Sequence, residues 1–188
     1  MMPREVQETS PTTMVGSLLC AQPYRASLLN ISGMSFGALS ATAVEALNLG
    51  AKLGGFAQNT GEGGFGQHHM ASGGDIIWQI GTGYFGCRDS AGRFDSNQFE
   101  ERAAHPAVKM IEVKLSQGAK PGHGGILPAA KVIGEIVRAR GVPEGQDCIS
   151  PPWHSEFTNP IELLEFLTRL RSLSKGKPVG IKLCVGSM

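Results

Sequence analysis

A chain of 188 residues, 41% of them hydrophobic and 18% charged, is long enough to bury a core as one globular domain. Its net charge of +1 gives no electrostatic reason to expect nucleic acid or an acidic membrane as a partner. No run reaches about 18 apolar residues, no signal-peptide pattern opens the chain, and the four cysteines lack Cys-x-x-Cys spacing. These features predict a soluble cytoplasmic protein whose cysteines are free thiols.

Hydrophobic periodicity predicts strands and helices that alternate after an irregular, polar tail at residues 1–23. In chain order they are a strand at Leu28–Met34, a helix with Thr42 and Glu45 in capping-box spacing that ends at Gly54-Gly55, a strand at Phe56–Thr60, a strand at Met110–Ser116, a helix at Lys131–Arg140, a helix from Asn159 to Gly176 and a strand at Pro178–Gly186. The buried stripe of the last helix is predicted to be Leu163, Leu164, Phe166, Leu167 and Leu170.

Residues 61–105 are interpreted as an insert between the second and third of these strands. Within it, Ile76–Ile80 and Tyr84–Arg88 could form a small strand pair. The neighbouring His68 and His69 could be metal ligands, but no cysteine or carboxylate stands at ligand spacing, so a surface loop is the preferred interpretation. Cys148–Trp153 is expected to be an irregular, proline-rich connection.

Alternating strands and helices predict a parallel sheet. Three strands carry one apolar face and one polar face, and the polar faces include Glu112, Lys114 and Lys182. Charges on a strand face would be costly in a doubly wound sheet, where helices cover both faces, but they are typical of the lumen of a (β/α)8 barrel. Alternatively, Glu112 pairs with a lysine simply as lumen packing.

The fold class predicted is therefore α/β, of the (β/α)8 TIM-barrel type, with only about the first half of the barrel present. About four strands are visible, whereas such a barrel has eight strands and typically about 250 residues. We expect an irregular tail at 1–23 and a partial barrel domain at 24–188 that is truncated at its C-terminal end, or that a partner completes.

The stretch Lys114–Pro128 combines lysines with glycines and prolines where the third strand ends. Glycines free the backbone for close approach to a ligand, and cations beside open amides suit phosphate or carboxylate. The alternative is a solvent-exposed lysine- and glycine-rich loop.

Four motifs in register closely resemble the FMN-binding domain of glutamate synthase, in particular the short branch that lacks the glutaminase domain. They are Ile31–Ser40, Asn59–Gly64, Lys114–Gly125 and Ile149–Pro152. The resemblance implies an FMN-dependent oxidoreductase that reductively combines 2-oxoglutarate with ammonia to give glutamate. In that family the flavin passes hydride to 2-iminoglutarate, and electrons arrive through an iron–sulfur cluster whose cysteines are not in this chain.

The resemblance also implies roles for individual residues. Met34, Ser35, Thr60, Gln79 and Lys182 would contact FMN, with Lys182 facing the N1/O2 side of the ring. Lys114, Gln117 and Lys120 would hold the substrate carboxylates and keto oxygen. Lys114 and Lys182 are the candidate catalytic residues. The implied partners are 2-oxoglutarate and either an electron-donor protein or the missing C-terminal half, with neither nucleic acid nor a membrane among them.

Long members of the family usually differ from this sequence at His123, Ile126 and Tyr84. Two other functions therefore stay open: a flavin barrel that acts on another 2-oxo or hydroxy acid, and a non-catalytic half-barrel fragment or subunit. Flavin binding and substrate-dependent flavin oxidation or reduction would distinguish them.

Overall fold

The computed structural model describes residues 11–16, 20–117 and 122–185. The strands are β1 (Thr12–Val15), β2 (Tyr24–Ser27), β3 (Ala57–Asn59), β4 (Asp75–Ile80), β5 (Val108–Lys114), β6 (Gly125–Leu127), β7 (Cys148–Ser150) and β8 (Val179–Lys182). The helices are α1 (Ala41–Gly54), α2 (Gln67–Met70), α3 (Ser96–Ala103), α4 (Glu135–Arg140) and α5 (Pro160–Leu173), with a 3-10 turn at Ala129–Lys131. None of the helices in these ranges is long and apolar enough to cross a lipid bilayer.

The centre of the fold is a parallel sheet in which β3, β4, β5 and β8 follow one another in chain order. Before β3, Ile31 makes a single parallel bridge to Gln58, through hydrogen bonds to Ala57 O and from Asn59 N. Because these four strands are parallel, their carboxyl ends lie along one edge of the sheet. We call this edge the site edge. The predicted parallel α/β sheet is confirmed.

The two faces of the sheet differ in chemistry, as the alternation in β5 predicts. Ile111 and Val113 are fully buried on the core face, together with Trp78 of β4. Helices α3 and α5 cover this face, and Trp78 stacks on Phe99 of α3 with ring centroids 5.2 Å apart. The opposite face, which we call the polar face, carries the amides and charges of β3, β4, β5 and β8.

The start of the chain differs from its prediction. Leu28–Met34 does not form a strand, because only Ile31 pairs with the sheet. The strand lies just before it, at β2, and pairs antiparallel with β1. Because β1 lies within residues 1–23, that segment is not irregular throughout; the boundary between tail and domain stays a prediction.

The interpretation of residues 61–105 as an insert is wrong. This segment supplies β4, a central strand of the sheet, and the helix α3 that leads to β5. Tyr84–Arg88 is not the partner of β4; it lies in a turn, and Arg88 makes one antiparallel bridge to Phe94. Helix α3 begins at a clear cap, because the Asp95 side chain accepts hydrogen bonds from two backbone amides of its first turn.

The predicted start of α5 is confirmed, although this helix ends at Leu173, before Gly176; the ends of the other helices are confirmed only in part. Asn159 caps α5 through the backbone amides of Ile161 and Glu162, with Pro160 at its first position. Ser40, not Thr42, caps α1. The helix predicted at Lys131–Arg140 is broken, because Gly134 with φ +50° separates a 3-10 turn from α4.

The segment Cys148–Trp153 is not wholly irregular. Its first residues form β7, which pairs antiparallel with β6, so Ile126 lies opposite Ile149. This antiparallel pair, whose strands are separated by the 3-10 turn and α4, joins the Lys114–Pro128 stretch to the chain that leads into α5 and places both segments beside the site edge.

Substitutions on α5 test which side chains support the core. Leu170 is fully buried, whereas Leu164, also predicted to be buried, is 64% exposed. We expect Leu170→Ala to lower the free energy of unfolding by about 2–5 kcal/mol, since it opens a cavity against α3 and β5. The control Leu164→Ala should change it by no more than about 0.5 kcal/mol. Urea unfolding measures both, and equal losses would contradict this account of the core.

Candidate functional site

The polar face carries a hydrogen-bonded group centred on Glu112. The Asn59 Nδ2 and Gln79 Nε2 amides both donate to Glu112 Oε1, at 2.9 and 2.6 Å. The register of the sheet explains this contact, because Gln79 of β4 is the direct neighbour of Glu112 on β5. Glu112 therefore accepts from two amides, and none of the lysines that the structure describes forms an ion pair with it, contrary to the alternative in which it pairs with a lysine.

Lys114 lies at the carboxyl end of β5 and belongs to a second group, which we call the lysine cluster: Lys114, Glu62 and Gln117. Lys114 Nζ lies 3.2 Å from Glu62 Oε1 and 3.0 Å from Gln117 Oε1. Gln117 Nε2 donates to Glu62 Oε1 at 2.7 Å, which closes the triangle. The Lys114 and Glu62 side chains are only 13% and 17% exposed, so water screens this ion pair less than it screens a surface pair.

Glu62 lies in the Asn59–Gly64 motif, but no sequence pattern predicts that it contacts Lys114. Its position depends on backbone geometry. Gly61 has φ +66°, and a Cβ added there would lie 2.6 Å from Ser35 N. Only glycine fits this contact, which holds the loop after β3 against the loop after Ile31 and directs Glu62 to Lys114.

The predicted residues Met34 and Ser35 lie in that same loop at the site edge. Met34 is 37% exposed, and the Ser35 carbonyl accepts hydrogen bonds from the amides of Ala38 and Leu39. A Cβ at the neighbouring Gly33 would lie 2.7 Å from Asn59 Oδ1. The loop therefore packs closely against the amides around Glu112.

Thr60 and Gln79 are buried where β3 and β4 end. The Thr60 hydroxyl donates to Gly61 O at 2.8 Å and accepts from Gln79 N at 3.1 Å. In this structure both side chains thus tie neighbouring strand ends together. Their contacts with a flavin stay a prediction.

Lys182 stands beside Lys114, as its register partner on β8. Its side chain is exposed and has no partner among the residues that the structure describes. Glu62 balances the charge of Lys114, whereas the charge of Lys182 is open to a ligand. Lys120, the third predicted substrate-binding residue, lies outside the described residues.

The paired histidines lie in the short helix α2, not in a surface loop. His68 bridges two carboxylates, with Nδ1 at 2.6 Å from Glu45 and Nε2 at 2.5 Å from Glu135. These hydrogen bonds raise the pKa of His68, whereas burial lowers the pKa of His69 to about 4. No group of three or more His, Cys, Asp or Glu residues in the described ranges is arranged to hold a metal ion.

Fold and site together define an α/β protein with a parallel sheet, whose carboxyl edge carries amides, two lysines and two carboxylates. A family model described as the conserved region in glutamate synthase matches residues 11–188. The chain therefore belongs to the glutamate synthase family.

Relatives of this chain carry matching names. It is 43% identical over 175 residues to a glutamate synthase large subunit-like protein of Bacillus subtilis, a match that covers 92% of the chain and 33% of that protein. A protein of the same description in Rhizobium meliloti is 32% identical over 181 residues, or 95% and 38% of the two chains. An archaeal NADPH glutamate synthase of Methanocaldococcus jannaschii is 36% identical over 154 residues, or 81% and 28%. The chain spans about a third of the length of these relatives.

A double-mutant cycle tests the lysine cluster. Lys114→Met alone leaves the largely buried Glu62 carboxylate without its cation, and Glu62→Gln alone leaves the largely buried Lys114 ammonium without its carboxylate. The double variant carries neither charge. We expect a coupling energy of about 0.5–3 kcal/mol between the two positions, measured by urea unfolding. The exposed pair Arg93 and Asp89 is the control, where about 0.2–1 kcal/mol is expected. Additive losses at Lys114 and Glu62 would show that the pair does not form.

The His68 bridge predicts a pH-dependent contribution to stability. Because the folded protein raises the pKa of His68, the stabilisation is fully present below the unfolded value of about 6.5 and is lost as pH rises through the folded pKa. The difference in unfolding free energy between wild type and His68→Gln should be largest near pH 6 and shrink in alkali. Glu135→Gln should move this transition to lower pH; a difference that is independent of pH would contradict the bridge.

Proposed function

We propose that this chain forms the part of a glutamate-synthase-like oxidoreductase that faces FMN and 2-oxoglutarate, in an enzyme that makes glutamate from 2-oxoglutarate and ammonia. The observation that carries the proposal is the lysine cluster at the site edge, in a chain that belongs to the glutamate synthase family. The names of its relatives support the reaction class.

A partial (β/α)8 barrel is the architecture that suits this function. In support, the parallel strands follow chain order, helices cover one face, and amides and charges line the other. A barrel lumen with its active site at the carboxyl ends of the strands has this chemistry. Under this proposal the polar face is the lumen and the site edge is the active-site mouth.

Substrate recognition in this proposal begins at Lys114. Its ammonium already holds a carboxylate, that of Glu62, and Gln117 contacts both groups. A carboxylate of 2-oxoglutarate would take the place of Glu62 at Lys114 Nζ, because the geometry and charge are the same. Gln117 and Lys120 would contact the second carboxylate and the keto oxygen.

The described residues fit FMN in the chemistry that they offer. The close contact of Gly61 with Ser35 N brings backbone to the site edge, Gln79 carries an amide that donates to Glu112, and Lys182 carries a cation with no partner among the described residues. Met34, Ser35, Thr60, Gln79 and Lys182 would hold the cofactor. When bound, FMN supplies hydride chemistry. The positive charge of Lys182 would stabilise negative charge on the part of the cofactor beside it.

Electron delivery requires groups beyond these residues. We propose an iron–sulfur cluster and an electron donor supplied by a further part of the enzyme or by a partner protein. Cys20, Cys87, Cys148 and Cys184 are free in this structure, which supports a reducing, cytoplasmic setting.

Calorimetric titration of the protein with 2-oxoglutarate tests the proposal. We expect binding that Lys114→Met weakens at least about tenfold, since the substrate carboxylate loses its cation. Glu62→Gln should bind 2-oxoglutarate more tightly than wild type, because the competing carboxylate has lost its charge. Lys109→Met is the matched control: Lys109 is on the same strand, but it pairs with Asp75 at 3.7 Å near the opposite end.

The results also distinguish the alternatives. Equal affinity in wild type and Lys114→Met, or no binding at all, would contradict the proposal. Tighter binding of another 2-oxo acid at Lys114 would favour the flavin barrel with a different substrate. FMN titrated alone, and followed by quenching of flavin fluorescence, tests the cofactor separately.

A further inference from the structure

A buried histidine that no sequence pattern indicates lies directly behind the site lysine. His154 is 2% exposed and stands in the loop between β7 and α5. Its Nε2 lies 2.8 Å from the Lys114 carbonyl oxygen, and its Nδ1 lies 3.0 Å from the Tyr84 hydroxyl. It therefore connects the end of β5 to the turn after β4.

The hydrogen-bond directions in this chain follow from the groups involved. A carbonyl oxygen only accepts, so His154 Nε2 carries the proton and donates to Lys114 O. In a neutral ring Nδ1 then accepts from the Tyr84 hydroxyl. Burial lowers the pKa of His154 and raises that of Tyr84 to about 12, so both groups keep the protonation that this arrangement needs.

The packing fixes the ring in this orientation. His154 stacks on Phe157 with centroids 4.7 Å apart, and the Tyr84 ring meets it edge-on at 5.3 Å. Tyr84 itself has φ +49°, a left-handed backbone that is uncommon for a residue other than glycine. The Tyr84 hydroxyl also accepts a hydrogen bond from Glu156 N at 3.3 Å.

His154 replaces a strand partner that the sheet lacks at this point. Strand β4 pairs with β5 only as far as Ile80 and Val113, one residue before Lys114. On the other side, the Leu115 amide donates to Lys182 O at 3.0 Å. Because a peptide is planar and trans, the Lys114 carbonyl faces away from β8, into the space beyond the end of β4. There it meets His154.

We propose that His154, oriented by Tyr84, is a positioning residue: it clamps the Lys114–Leu115 peptide against β8 and so directs the Lys114 ammonium toward the substrate carboxylate. The role in substrate binding rests on the proposed function, whereas the clamp on Lys114 does not. The same peptide touches the backbone of Lys182, so one clamp sets the spacing of both lysines at the site edge.

A matched pair of substitutions separates positioning from simple loss of stability. The longer side chain of His154→Gln can place an amide N–H near the position of Nε2 and keep the bond to Lys114 O. The shorter one of His154→Asn reaches only the position of Nδ1, so it keeps the bond to Tyr84 and loses the one to Lys114. Both variants lose the ring, so urea unfolding should show similar losses of stability.

The first measurement needs no substrate. In ¹⁵N NMR spectra of the wild-type protein we expect His154 as the Nε2–H tautomer. We also expect a Lys114 ammonium signal that is slowed in exchange by Glu62 and Gln117; this signal should persist in His154→Gln and disappear in His154→Asn. An Nδ1–H tautomer, or a Lys114 signal that responds equally to both substitutions, would overturn the clamp.

The second measurement is the affinity for 2-oxoglutarate. We expect His154→Asn to weaken binding about tenfold, whereas the affinity of His154→Gln should stay within about threefold of wild type. The affinity of Tyr84→Phe should lie between those of the two His154 variants. If the loss of affinity in each variant is proportional to its loss of unfolding free energy, the positioning role is overturned. If wild type binds no 2-oxoglutarate, the proposed function fails, and the Lys114 signal still decides whether His154 positions the lysine.

Discussion

The alternation of side chains along β5 sets the chemistry of both faces of the central sheet. Ile111 and Val113 face the helices, and Glu112 and Lys114 face the opposite way. Since successive side chains of a strand point to opposite faces, a shift of one residue would bury both charges in the core and expose both hydrophobic residues. Burying the core face therefore also sets the register of the polar face, in which Gln79 meets Glu112 and Lys114 stands beside Lys182.

Glu62, Glu112 and Lys114 each have a partner that limits their movement, whereas the Lys182 side chain has none among the residues that the structure describes. Two amides hold Glu112, and Glu62 with Gln117 holds Lys114. In a partly dehydrated position such contacts are stronger than in water, and a group left without a partner costs more. The arrangement thus keeps two cations close together, and of the two only Lys114 forms an ion pair among the described residues. Under the proposed function, a dicarboxylate would displace Glu62 from Lys114 and pair with both cations.

The parts of the fold that the sequence predicted are those whose signals are local. The alternation of buried and polar side chains in β5 can be read from about five adjacent residues, and the N-terminal cap of α5 from Asn159 and Pro160. Helix α3 went undetected because its sequence is mostly polar and buries only Phe99 and Ala103. The strand predicted at Leu28–Met34 is reduced to one bridge at Ile31, and the nearest strand, β2, lies earlier in the chain.

The candidate site was predictable only in part, for a related reason. Lys114, Gln117 and Lys182 could be assigned from strand parity and from a family motif. Glu62 and His154 could not, because each reaches Lys114 from a distant loop whose course depends on glycine geometry or on aromatic packing. Local periodicity carries no information about such contacts.

A crystal structure of the protein with 2-oxoglutarate bound would show whether Lys114 holds the substrate. We expect a ligand carboxylate within about 2.7–3.2 Å of Lys114 Nζ, with Gln117 beside it and Glu62 displaced from the lysine. A structure in which Lys114 keeps Glu62 while the ligand occupies another part of the molecule would contradict this expectation.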